Sequence, residues 1–242
     1  MKYSERYRKE VELFVDVCHR MAERHYVTGY GGNLAWKLED NVILITPTMR
    51  NKGDVQAEDV VFIDVEGNTV EGKRKPTGEK AMYLKFFNER KDIVSVLHCH
   101  APNVGAFAIR KGKNWLMRPF YPETITEVGP VPIVPYAEPL TQALADNFSP
   151  YIQKYNSFLM ENHGLVTMSR ENIEWTFFNV ELLEETAYSI LMALTSGSEL
   201  KEVDEEGVKR LGNVMIERGL PLFGAPGINT SLEGMFFTER PK

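Results

Sequence analysis

The chain has 242 residues, 43% of them hydrophobic and 26% charged, with a formal net charge of −6. That is enough apolar material for one sizeable core, and the acidic balance excludes the broad basic surface with which proteins neutralise a nucleic-acid backbone. The charged opening Met1-Lys2-Tyr3-Ser4-Glu5-Arg6 has no apolar run fit for a secretory signal or a membrane span, and the two cysteines, Cys18 and Cys99, fit reduced thiols better than a disulfide framework. A cytoplasmic protein is expected, with neither nucleic acid nor membrane as partner.

No repeat or low-complexity linker interrupts the chain, so residues 1–242 are expected to form one domain in which helical and strand-like segments alternate. Ser4 is placed to cap a helix whose Val11, Phe14, Val15, Cys18 and Met21 recur at three- and four-residue spacing, one buried stripe. His19 and His25 then belong to a packing helix and not to a cleft. After the glycine-rich Gly29-Tyr30-Gly31-Gly32-Asn33, residues 42–46 and 60–64 are predicted strands. Glu66-Gly67-Asn68 supplies a turn from which Val70 starts a return strand. Thr77 is predicted to cap a helix that carries Glu79 in its first turn, with Ala81, Met82, Phe86 and Phe87 buried behind it. Residues 93–97 read as a short strand delivering His98-Cys99-His100, and Pro102 opens the next helix. Further on, residues 131–135 are extended, 141–148 helical, and 157–160 a strand that runs into Glu161-Asn162-His163-Gly164 and is continued by Leu165-Val166-Thr167. A long helix over 171–194 and a more charged one over 203–218, ended by Gly219, follow. The weakly periodic segment 223–242 is expected to be a mobile tail.

Three of the five histidines fall at strand ends. In a strand, residues i and i+2 point to the same side, so His98 and His100 can offer two imidazoles to one ion while Cys99 faces the opposite layer. A third imidazole from His163, followed by a glycine that permits close backbone approach, would complete a three-histidine metal site with an open coordination position. A His-x-His pair alone is equally at home as surface decoration. The concentration of His98, His100 and His163 at strand ends favours the metal.

Five motifs in this order, Gly32-Asn33, Ile45-Thr46-Pro47-Thr48, Pro76-Thr77-Gly78-Glu79, Val96-Leu97-His98-Cys99-His100 and Glu161-Asn162-His163-Gly164, resemble those of the class II aldolase/adducin family, most of all its fuculose-phosphate aldolase branch. The resemblance covers residues 10–195. It implies a three-layer α/β/α domain around a largely antiparallel sheet, a zinc ion on His98, His100 and His163, and a homotetramer with sites near subunit interfaces. It further implies Glu79 as the acid/base carboxylate, with Asn33, Thr48, Thr77 and Gly78 around the substrate phosphate. The family's usual Ser-Gly or Thr-Gly and Pro-Ser-Ser-Glu are replaced here by Thr48-Met49 and Pro76-Thr77-Gly78-Glu79. Two positions of the phosphate pocket are therefore altered, and Arg50, Lys52, Arg74 or Lys75 would have to supply charge, unless all four are simply solvated.

The expected activity is cleavage of a ketose, in the first instance a ketose 1-phosphate, into a dihydroxyacetone-type fragment and an aldehyde. Zinc would hold the resulting enediolate and Glu79 would move the proton. Tyr121 falls near the place where the aldolases use a tyrosine as second proton carrier, and a packed aromatic is the competing reading. Decarboxylation, epimerisation or dehydration of a sugar or sugar-acid phosphate is the alternative chemistry, the last with Glu123 or Glu127 as base. The relatives of the adducin type, which are interaction modules, lose the metal histidines that this chain keeps.

Overall fold

The structure, a computed structural model, describes residues 2–238. The N-terminal helix forms in two pieces, α1 (Tyr3–Arg6) and α2 (Arg8–Glu23), broken at Tyr7. Ser4 does not cap it: its hydroxyl and backbone N–H donate to the Glu71 carboxylate and dock the first turn onto the sheet edge. Val11, Phe14, Cys18 and Met21 are buried as the spacing predicts, with Val17 in place of the half-buried Val15. His25 lies just past the helix with a left-handed φ of 57°, exposed, and His19 Nε2 sits 2.8 Å from the Val55 carbonyl.

The strands β1 (Asn33–Glu39), β2 (Val42–Ile45), β3 (Val61–Ile63) and β4 (Thr69–Glu71) form a meander. Helix α3 (Lys80–Glu89), strand β5 (Ser95–Cys99) and helices α4 (Pro102–Ala108) and α5 (Pro122–Glu127) follow. The chain then passes through β6 (Ile133–Val134), α6 (Gln142–Asp146), β7 (Ser157–Met160) and β8 (Gly164–Ser169). It ends in α7 (Ile173–Thr195), α8 (Glu205–Glu217) and α9 (Leu232–Phe237). Eight strands make one sheet in the order β4-β3-β2-β1-β5-β8-β7-β6, antiparallel except for the β6–β7 pair. Residues 165–167 do not prolong the preceding strand, as expected from sequence, but return beside it: β7 and β8 are a tight antiparallel hairpin.

Successive strand residues go to opposite faces, and each face has its own core. Leu34, Leu44, Leu97, Cys99 and Leu165 pack with α2, α4 and α7 on one side. Ala35, Ile45, Val96, Phe158 and Val166 pack with α3, α6, α8 and α9 on the other. The fold is the three-layer α/β/α arrangement around a largely antiparallel sheet. Within the segment 223–242, α9 is capped by Ser231 and buries Leu232, Met235 and Phe236 against the second core, so its described part is packed; residues 239–242 lie outside the described residues.

Candidate functional site

Four chain segments meet at one end of the sheet, because β1 starts there, β2 and β5 end there and β8 starts there. The register sets His98 beside Asn33 of β1 on one flank and Val166 of β8 on the other. Just past β2, Thr48 N–H donates to the Lys75 carbonyl and Thr77 N–H to the Thr46 carbonyl, which stitches the 46–48 segment to the approach to α3. Glu79 thereby arrives at the same place, as the residue before the first turn of α3 and not within it. The Thr77 hydroxyl accepts from Glu79 N–H at 3.3 Å.

His98, His100 and His163 offer ligand atoms that all lie within 4.8 Å of one another. His98 Nε2 and His100 Nε2 are 3.0 Å apart, as the strand period requires. His98 Nδ1 is 2.9 Å from the Leu165 carbonyl, an arrangement in which Nδ1–H donates and Nε2 is left facing its neighbours. His163 comes from the β7–β8 turn, where Asn162 adopts a left-handed φ of 54°. A Cβ on Gly164 would stand 2.5 Å from the Cys99 carbonyl oxygen and 2.9 Å from His100 Cδ2, so only glycine lets this turn come so close to β5.

Burial, and after it the neighbouring His163, pushes His98 down to about 3; burial, and after it His98 and His163, does the same to His100. Burial also lowers His163, with Glu79 opposing. All three rings are thus held neutral, the form that ligates a metal. Glu79 Oε2 accepts from Asn33 Nδ2 at 2.7 Å, while Oε1 is buried with no hydrogen-bond partner among the described residues and lies 3.5 Å from His163 Nε2. Three neutral imidazoles beside an unfilled carboxylate oxygen suit a divalent cation, which would sit among the rings with Glu79 next to it.

Asn33, Thr48, Thr77, Gly78, Glu79 and the three histidines all line one cleft of about 210 Å³. Asn33 also has partners within the protein: besides the bond to Glu79, its backbone and side-chain oxygens each lie 2.6 Å from the hydroxyl of the fully buried Tyr83. It positions the carboxylate. Tyr121 stands before the first turn of α5, 44% exposed, and is not among the residues lining the cleft; Glu123 and Glu127 are exposed too. Of the four basic residues named from sequence, Arg50 and Arg74 both pair with Asp59 and Lys75 is exposed. Lys52 differs from them: it is 1% exposed and lines the cleft. Its burial arises from the 3-10 turn Lys52–Asp54 packing under α2, which charge and spacing alone do not reveal, although Asn51-Lys52-Gly53 carries a turn signal.

The Class II Aldolase and Adducin N-terminal domain matches residues 12–214. An L-fuculose phosphate aldolase of Methanococcus maripaludis (strain C5) is 34% identical over 174 residues, which cover 72% of this chain and 91% of the relative. A 3-oxo-tetronate 4-phosphate decarboxylase of Haemophilus influenzae is 30% identical over 204 residues, 84% of this chain and 95% of that one. Among solved structures, YgbL of Klebsiella pneumoniae, whose reaction is left open between aldolase, epimerase and decarboxylase, superposes with a TM-score of 0.78 at 29% identity, over 84% of this chain and 98% of its own. The matched region contains the three histidines, Glu79 and the segments that converge on them, and the chain belongs to the class II aldolase and adducin N-terminal domain family.

Proposed function

We propose that the chain is a divalent-metal-dependent lyase that breaks the bond between the carbons α and β to the ketone in a ketose 1-phosphate, releasing a dihydroxyacetone-type fragment and an aldehyde. The observation that supports this best is the pairing of three neutral imidazoles with a buried carboxylate oxygen that has no hydrogen-bond partner among the described residues. A zinc ion held by His98, His100 and His163 would supply Lewis-acid stabilisation of the negative charge that develops as the bond breaks. Glu79 Oε1 is the group that hands a proton to the carbon left behind, and takes one from it in the synthetic direction. Asn33, held by Tyr83, pins Oε2 and so restricts the carboxylate to one orientation. Burial first, and Glu79 second, raises Tyr83 well above its usual value, so its hydroxyl stays protonated as a donor. Thr48, Thr77 and Gly78 form the wall against which the phosphorylated end lies. The same reading places the enzyme in the cytoplasm as a homotetramer, in which the exposed Tyr121 is available to a neighbouring protomer's cleft as the group that takes the substrate hydroxyl proton while the aldehyde forms.

A second reaction, decarboxylation of a 3-oxo sugar-acid phosphate, is favoured by one feature of the site. Aldol cleavage needs a base for the hydroxyl proton as well as an acid for carbon, whereas loss of carbon dioxide needs only the acid. Glu79 is the one carboxylate among the described residues lining the cleft. Both reactions leave an electron pair on carbon beside a ketone, so the metal and Glu79 serve either. The discriminating experiment is metal analysis of the purified protein followed by product identification from ketose 1-phosphates and from 3-oxo sugar-acid phosphates. Aldehyde release supports the first reaction and carbon dioxide the second. A protein that holds no divalent ion and converts neither substrate refutes the lyase reading.

A further inference from the structure

Lys52 is a buried ammonium without a counter-ion. Its Nζ donates to two neutral acceptors, the Arg50 carbonyl at 2.9 Å and the Tyr30 carbonyl at 3.3 Å, and no carboxylate lies within ion-pairing distance of it among the described residues. An ammonium has three N–H donors, so one is left over. A buried cation is costly unless it is paired, and this one borders the cleft that contains Glu79 and the metal-site histidines. Burial accordingly pulls its pKa below the ordinary lysine value, with Cys18 and Glu79 opposing.

Several other donors of the same wall are already engaged. The N–H groups of Thr48 and Thr77 are spent on backbone carbonyls, Glu79 N–H is spent on the Thr77 hydroxyl, and Lys80 N–H on the Thr77 carbonyl. The N-terminus of α3 is therefore partly closed on its own turn, and Lys52 is the one lysine or arginine among the described residues lining the cleft. We propose that Lys52 is a specificity-determining residue whose ammonium receives the terminal oxyanion of the substrate, a phosphate ester or a carboxylate. The proposal rests on the lyase reading for the identity of the cleft, and it names the substrate class as anionic at the end held by Lys52.

The test is calorimetric titration of the full-length protein, with its metal, by inorganic phosphate and separately by acetate. The variants compared with wild type are Lys52→Met, Lys52→Gln, Lys52→Arg and the surface control Lys75→Met. A charge-assisted hydrogen bond is lost in the neutral variants, so anion affinity is expected to fall by about tenfold or more in whichever of them folds. Lys52→Arg should restore part of the affinity, Lys75→Met should match wild type, and metal content should be equal in all. On an anionic substrate the loss should appear in KM with kcat largely retained, a split that mere structural damage would not give. Preference for phosphate assigns the oxyanion to an ester, and preference for acetate assigns it to a carboxylate. Equal affinity in wild type and a folded neutral variant overturns the proposal, as does wild-type protein that binds neither anion. Binding is read without turnover, so failure of Lys52 and failure of the lyase reading remain separate outcomes.

Discussion

The two oxygens of Glu79 stand in different environments, and that asymmetry decides what a substitution there should do. Oε2 is fixed by Asn33, whereas Oε1 is buried, without a partner and 3.5 Å from His163 Nε2. Glu79→Gln keeps the shape and removes the proton carrier, so kcat should fall by about 10²–10⁴-fold while metal content per chain is unchanged. His98→Ala should instead empty the metal site, because it removes the ring that β5 holds between β1 and β8. Metal analysis beside kcat separates the two, and a Glu79→Gln protein at the wild-type rate would remove Glu79 from the mechanism. At this scale the histidines were legible because a strand's period of two is a property of the backbone alone. The placements of Asn33 and Lys52 were not. One depends on where the approach to α3 lands against β1, the other on a 3-10 turn slipping under α2; both are tertiary events, and the turn signal of Asn51-Lys52-Gly53 does not say what the turn packs against.

The hairpin of β7 and β8 is the element that carries His163, and its tightness is what brings the third imidazole to the other two. Sequence reading recognised both hydrophobic halves but joined them, since the reversal rests on Asn162 adopting a left-handed φ, a conformation asparagine tolerates but does not announce. Gly164 follows directly. An added methyl there would meet the Cys99 carbonyl oxygen at 2.5 Å, and backbone cannot swing aside as a side chain can. Gly164→Ala should therefore push the turn off β5, destabilise the fold by about 1–3 kcal/mol and weaken metal binding as His163 moves from His98 and His100. Gly105→Ala is the matched comparison: it lies in helix α4 with nothing within 4 Å of the added Cβ, and should be neutral or stabilising by about 0.5–1 kcal/mol. Urea unfolding and metal titration of both proteins check the pair. If Gly164→Ala costs no more than Gly105→Ala, close approach of the strands is not what shapes the site.

Across the whole molecule, the C-terminal segment is held to the sheet by a polar clamp that hydrophobic periodicity does not register, which is why residues 223–238 read as loose from sequence. Arg90 is fully buried and donates to the carbonyls of Ile152, Tyr155 and Gly224 as well as to Asp92, while Arg170 donates to Asp92 and to the carbonyls of Leu222 and Gly224. Asp92 is the single carboxylate between two guanidinium groups. Burial pushes its pKa up, but the hydrogen bonds and charges of Arg90 and Arg170 outweigh this and hold it below the usual carboxylate value. A carboxyl depressed in the folded state binds fewer protons there than in the unfolded chain. Its stabilisation is therefore fully present above the ordinary value of about 3.9 and is lost as pH falls through the lower folded value. Asp92→Asn leaves Arg90 buried without its counter-ion, which should cost about 3 kcal/mol at neutral pH. It should also make the loss of stability below about pH 4 shallower than in wild type. Part of the acid dependence should survive, since the carboxyls of Asp59 and Glu71 are likewise held low, by Arg74 and Ser4 respectively, in spite of burial. Denaturant unfolding across the acid range measures both effects. Parallel curves for the two proteins would mean that Asp92 does not couple proton binding to the anchoring of Leu222 and Gly224.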